Sequence, residues 1–128
     1  MLDKTLAFVR LDRAKECLND AKSLLDETRL RSSANRSYYA IFHAMRAALA
    51  IKGIDSKKHS GIIAMFRKEY CKTSIFSVEM SEIITKAFYI RTNSDYDDFY
   101  VVTKEEVIEQ VKNAELFISE IQKFLEQL

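Results

Sequence analysis

Apolar side chains return at intervals of three and four along most of this chain. Leu11, Ala14, Leu18, Ala21 and Leu25 make one such stripe, with Leu2, Leu6 and Val9 extending it backwards, and this predicts a long amphipathic helix from Leu2 to about Leu25. "DETRLRSSAN" breaks the pattern. Ser32 or Ser33 is suited to cap a second helix running to about Ile51, and Gly53 in "KGIDSKK" is the candidate left-handed terminator. A shorter helix is predicted from about Lys58 to Tyr70, with Ile62, Ile63 and Phe66 as its apolar side. After the "CKTSIF" link, a fourth runs from about Ser77 to Arg91 and buries Ile83, Ile84, Ala87, Phe88 and Ile90. "TNSDYDDFYVV" has no clean period and reads as an ordered loop. Thr103 and Glu106 then form a capping box ahead of Val107, Val111, Ala114, Ile118, Ile121 and Leu125. The expected architecture is all-α: an antiparallel bundle of four long helices plus one short helix, filling residues 1–128 as a single domain.

Composition sharpens this picture. Two glycines and no proline in 128 residues leave few positions for tight hairpins or glycine-lined phosphate loops. Twenty Lys and Arg against nineteen Asp and Glu give a net charge of +1, so an anionic ligand has to be held by a local cluster. Cys17 and Cys71 have no partners at metal-ligand spacing, which points to a reduced, cytoplasmic setting and to no metal or cofactor set. The least charged run, Tyr38 to Ile51, contains His43 and Arg46 and is too short for a membrane span, so no membrane association is expected.

The candidate chemistry lies in "RSYYAIFHAM". At 100° per residue, Arg36 and His43 fall about 20° apart on one helix face, separated by roughly 10 Å along the axis. Ala40, Ala47 and Ala50 share that face, whereas Tyr38, Ile41, Phe42, Met45 and Leu49 form the bulky stripe. The small residues admit another helix closely, either from a second subunit or from the protein's own first helix. A neutral imidazole can move a proton at a ribose 2′-hydroxyl or a leaving oxygen, and a guanidinium can clamp a phosphate. A lone helical histidine is also a common packing residue, and the basic face could simply close a symmetric interface.

Neighbouring positions extend the candidate site. Tyr38 falls with the core stripe, while Tyr39 is placed to line the cleft or stack a base. Arg46 extends the positive surface beside His43. Lys57, Lys58 and His59 gather at the start of the short helix, where they form either a small phosphate-binding patch or a solvated charge run. In "SDYDDFY", Asp95 is expected to cap or to pair with a base such as Arg91, and Tyr96 to pack back on the bundle. No third oxygen ligand completes a magnesium site there.

"SSANRSYYAIFHAMRAAL", with "KKHSGIIAMFRKEY" and "IRTNSDYDDF", resembles the small stand-alone prokaryotic branch of the HEPN-domain family over nearly the whole chain. The resemblance implies a helical bundle, often a homodimer. It also implies a metal-independent endoribonuclease whose signature, an arginine and a histidine separated by four to six residues, falls on Arg36 and His43. Many such proteins act as the toxin of a toxin-antitoxin pair with a minimal nucleotidyltransferase. The residue after the arginine is usually Asn, Asp or His in the better-defined ribonucleases, and here it is Ser37. The expected function is therefore RNA cleavage by Arg36 and His43, supported by Ser37, Tyr39, Arg46, Lys58 and His59. The alternative is a non-catalytic module that binds a nucleotide or protein and acts with a nucleotidyltransferase partner.

Overall fold

A computed structural model describes residues 4–128. Its helices are α1 (Lys4–Asp26), α2 (Leu30–Ala50), α3 (His59–Phe66), α4 (Val78–Tyr96) and α5 (Lys104–Glu126), and a π-helical turn, Arg67–Cys71, continues α3. Four long helices and a short one form the expected all-α bundle. Leu2, assigned above to the first stripe, lies outside the described residues.

The long helices alternate in direction. Arg10 donates to the carbonyl of Arg46, and Ser33 donates to that of Ala21, so α1 and α2 run antiparallel. Contacts from Asn35 to Asp95 and from Tyr39 to Arg91 set α4 antiparallel to α2, while Lys22 reaches Glu115 across an antiparallel α1–α5 pair. α2 is the central element, touching every other helix of the bundle. It is correspondingly rich in small and apolar residues, and its alanine face is covered by α1: Ala40, Ala47 and Ala50 are buried against a helix that contributes Ala7, Ala14 and Ala21. Of the two occupants that sequence allows for this face, the protein's own first helix fills it.

Several boundaries depart from the sequence reading. Neither Ser32 nor Ser33 caps α2. The N-cap is Arg29, without a side-chain cap, and the buried Ser33 hydroxyl bonds to α1 instead. Thr28 takes the left-handed conformation (φ 61°) that closes α1, with Arg29 N–H donating to the Leu24 carbonyl at 2.8 Å. Gly53 (φ 67°) ends the α2 turn as expected, with Ile54 N–H donating to the Leu49 carbonyl. Val9 and Leu6 are exposed rather than part of the apolar stripe. Ala7, one turn before Leu11, occupies that line. The segment read as a loop from Thr92 is helical as far as Tyr96, because α4 carries on past Arg91 with the buried Ser94 on its inner face. Phe88 and Ile63 are only partly buried. The α5 capping box is present in both directions, Glu106 N–H to Thr103 Oγ1 and Thr103 N–H to Glu106 Oε1.

Candidate functional site

α2 presents Arg36, Tyr39 and His43 along one half-buried edge. The Arg36 guanidinium is held twice. Its Nε and Nη2 donate to Asn35 Oδ1 at 3.1 and 2.8 Å, and its carbon lies 4.9 Å from the Tyr39 ring centre. Asn35 in turn donates to Asp95 Oδ2 (3.3 Å), Asp95 pairs with Arg91 Nε (3.1 Å), and Arg91 donates to the Tyr39 hydroxyl (3.3 Å). These contacts close a ring from Arg36 through α4 and back to Tyr39. Arg31 adds to the same end of the helices by donating to the carbonyls of Ser94 and Tyr100 at 2.5 Å each. An open groove of about 550 Å³ lies beside it, lined by Leu24, Arg31, Ser32, Asn35, Arg36, Ser94 and Asp95.

His43 sits one helical turn beyond Tyr39, 6.2 Å from it ring to ring. Its Nδ1 is buried and makes no hydrogen bond within the protein. Burial first, then the positive charges of Arg46, Arg13, Arg36 and Arg10, lower its pKa to about 4, so the ring is neutral at pH 7. Two of these arginines come from α1. Arg10 and Arg46 share a single carboxylate, Asp55 Oδ2, at 3.1 and 3.3 Å, so one negative charge offsets two positive ones. A neutral base therefore stands in an electropositive seam between α1 and α2, an arrangement that can attract an anion and accept a proton from a neighbouring hydroxyl.

The remaining sequence candidates divide. Tyr38 is buried in the core as expected, and its hydroxyl lies 3.1 Å from His59 Nδ1. His59 joins the site from α3 by stacking on Phe42 at 4.2 Å and meeting Tyr39 edge-on at 5.6 Å. Burial and, second, the charge of Arg91 lower its pKa as well. Lys58 is exposed at the N-cap of α3, its backbone N–H donating to Ser56 Oγ. Ser37 is a correction. It is 0% exposed, donates to the Ala34 carbonyl at 2.9 Å and accepts from Gln110 Nε2 at 2.7 Å. A side chain one residue after Arg36 is turned about 100° around the helix, here into the α5 interface, so Ser37 is an interior hydroxyl and does not line the surface beside Arg36. Tyr96 is the other correction: it is 73% exposed instead of packed on the bundle, with Arg91 5.6 Å from its ring centre.

Asn35, Arg10 and Arg13 were missed from sequence. The signal for Asn35 was its position next to Arg36 in "SANRS", but Arg10 and Arg13 lie on another helix, and only the α1–α2 pairing brings them to His43. Among the described residues, no three His, Cys, Asp or Glu side chains are grouped to hold a metal ion, and no helix is long and apolar enough to cross a membrane.

Comparison with known proteins adds a family context. Residues 8–124 match the HEPN domain. A UPF0332 protein of Thermotoga maritima is 40% identical over 116 residues, covering 91% of this chain and 88% of that protein. Two proteins of Methanocaldococcus jannaschii, named "Putative toxin MJ0142" and "Putative toxin MJ0605", are 32% and 34% identical. They align over 90% and 92% of this chain and over 78% and 87% of their own lengths.

Proposed function

The chain belongs to the HEPN family, and from that premise we propose that it is a single-domain, metal-independent endoribonuclease acting as the toxin of a toxin-antitoxin pair. The observation that carries this reading is the neutral His43 among four arginines, on the same helix edge as an Arg36 whose guanidinium is held by Asn35 and Tyr39. In the proposed reaction Arg36 binds the non-bridging oxygens of a phosphodiester, and its charge meets the charge that builds up as phosphorus becomes five-coordinate. His43 takes the proton of the adjacent 2′-hydroxyl. The entering phosphate offsets the arginine field that depresses His43, so the imidazole becomes more basic when substrate is bound. The products are a 2′,3′-cyclic phosphate and a 5′-hydroxyl.

Tyr39 and Arg46 line the same edge, with Lys58 and His59 at the start of α3, and this supports a role for them in holding RNA. The antitoxin in this reading is a nucleotidyltransferase, the active form is a homodimer, and the setting is cytoplasmic. The names of the two archaeal relatives support a toxin role. Because α1 covers the alanine face of α2, a dimer has to use another surface.

A second reading, that of a nucleotide- or protein-binding module without bond cleavage, is favoured by the low basicity of His43, which makes the free imidazole a weak proton acceptor. One experiment separates the two. Purified protein is incubated in EDTA with a pool of structured and single-stranded RNA, beside Arg36→Ala and His43→Ala proteins of the same fold and oligomeric state. Cyclic phosphate ends formed by the native protein and by neither variant support cleavage. No products above the variant background, with RNA still bound, leaves the binding module.

A further inference from the structure

Cleavage of a phosphodiester needs a proton taken at one oxygen and a proton given at the other. His43 serves the first, and α2 of the same protomer carries no second histidine. The chain has one more histidine, His59, sixteen residues later at the start of α3. The fold returns it to the same place. His59 stacks on Phe42 at 4.2 Å with an interplanar angle of 26°, and His43 meets Phe42 from another direction at 5.6 Å. Tyr39 is likewise shared, 5.6 Å from His59 and 6.2 Å from His43. Two imidazoles packed on the same two aromatic rings have centres within about 10 Å of each other. An in-line displacement spans a similar distance, with entering and leaving oxygens on opposite sides of phosphorus and each about 2.8 Å from its proton carrier.

His59 is also oriented. Its Nδ1 lies 3.1 Å from the Tyr38 hydroxyl, which belongs to a fully buried ring, and stacking on Phe42 and Tyr38 restricts rotation. A phenolic hydroxyl both donates and accepts, so it can hold the ring when Nδ1 is bare and when Nδ1 carries a proton. Either way Nε2 is left for chemistry. One nitrogen fixed by a partner while the other works is the usual division of labour in a catalytic histidine. Phe42 and Tyr38 thus have a positioning role beyond filling the core.

We infer that His59 is the second acid–base residue of the site, giving a proton from Nε2 to the 5′ leaving oxygen while His43 removes the 2′ proton. The inference rests on the ribonuclease reading above. The 2′ oxygen forms its bond to phosphorus as the bond from phosphorus to the 5′ oxygen breaks. One proton passes to His43 and one leaves the His59 imidazolium, a form that the bound phosphate favours by offsetting the Arg91 charge that otherwise lowers the His59 pKa, and exchange with water restores both rings. No other reactant is needed.

The test compares two oligonucleotides, each with one cleavable ribose linkage. One has the natural 5′ oxygen, and the other has sulfur at that bridging position, where a thiolate departs without being protonated. The full-length protein is studied as His59→Phe, which keeps a ring to stack on Phe42, and as His59→Gln, which keeps a polar group for Tyr38. Folding is checked by thermal melting. Loss of the acid is expected to slow the oxygen substrate by about 100-fold or more in both variants. The sulfur substrate should stay within a few-fold of native, while His43→Ala slows both. Equal slowing of both substrates, or native rates on both, in either folded variant overturns the role of His59. A native protein that cleaves neither substrate overturns the ribonuclease reading itself, and the two failures are therefore distinct.

Discussion

The side-chain amide of Gln110 on α5 donates to the hydroxyl of Ser37 at 2.7 Å and to the carbonyl of Ala34 at 2.9 Å, joining α5 to α2 inside the core. Ser37→Ala removes a buried hydroxyl with two partners, and an expected cost of about 1 kcal/mol follows from the net worth of such bonds. RNA cleavage should be unchanged. Urea unfolding measures the first quantity and initial cleavage rates the second. A variant of native stability that has lost cleavage would place Ser37 back in the site.

Acid should weaken the fold through His43. Its folded-state pKa of about 4 lies below the ordinary 6.5, so between these values the unfolded chain binds a proton that the folded chain refuses. The stability from this group is complete above pH 6.5 and falls as the pH drops towards 4. For a half-buried ring that solvent partly screens, the loss is about 1–2 kcal/mol. Denaturant midpoints of native and His43→Gln proteins at pH 7 and pH 4.5 test it, since the native protein should lose more between the two.

Asp95 ties Arg91 to Asn35 and so helps fix Arg36. Asp95→Ala removes a negative charge beside the groove and loosens that chain of contacts. RNA should bind more tightly, with a steeper dependence on salt, yet be cleaved several-fold more slowly because Arg36 is less well aimed. Binding titrations at several salt concentrations, alongside single-turnover rates, would show whether affinity and rate move in opposite directions.

Thr28 adopts φ 61° at the α1–α2 corner, a conformation that costs a β-branched residue energy and glycine little. Thr28→Gly should therefore stabilise the protein by up to about 1 kcal/mol, after the larger backbone entropy of glycine in the unfolded chain is set against the relief of strain. Thermal melting decides it. A lower melting temperature would mean that the threonine side chain makes up for its strained backbone.

Periodicity made the helices legible because the buried stripe of each follows the helical repeat, as Val107, Val111, Ala114, Ile118 and Leu125 do on α5. Helix ends were harder, because the sequence could not show that Ser33 would bond to Ala21 instead of capping its own helix, or that Ser94 would find a buried place that carries α4 onward. Arg36 and His43 were legible because both lie on one helix, where spacing fixes the face. The α1 arginines and the Asn35–Asp95–Arg91 ring were not, because they depend on which helices meet. Ser37 misled for a related reason: adjacency to Arg36 in the chain means a different face of the helix.

The alanines that pave the α1–α2 seam give the two helices a narrow clearance, and the charges of Arg10 and Arg13 act on His43 across it. An added methyl at Ala40 or Ala47 would prise the helices apart and weaken the charge felt by the imidazole from inside the core. The charge around His43 is thereby set by core packing, and a change of volume that would be silent beneath an ordinary surface residue is registered here as a change in the basicity of the imidazole.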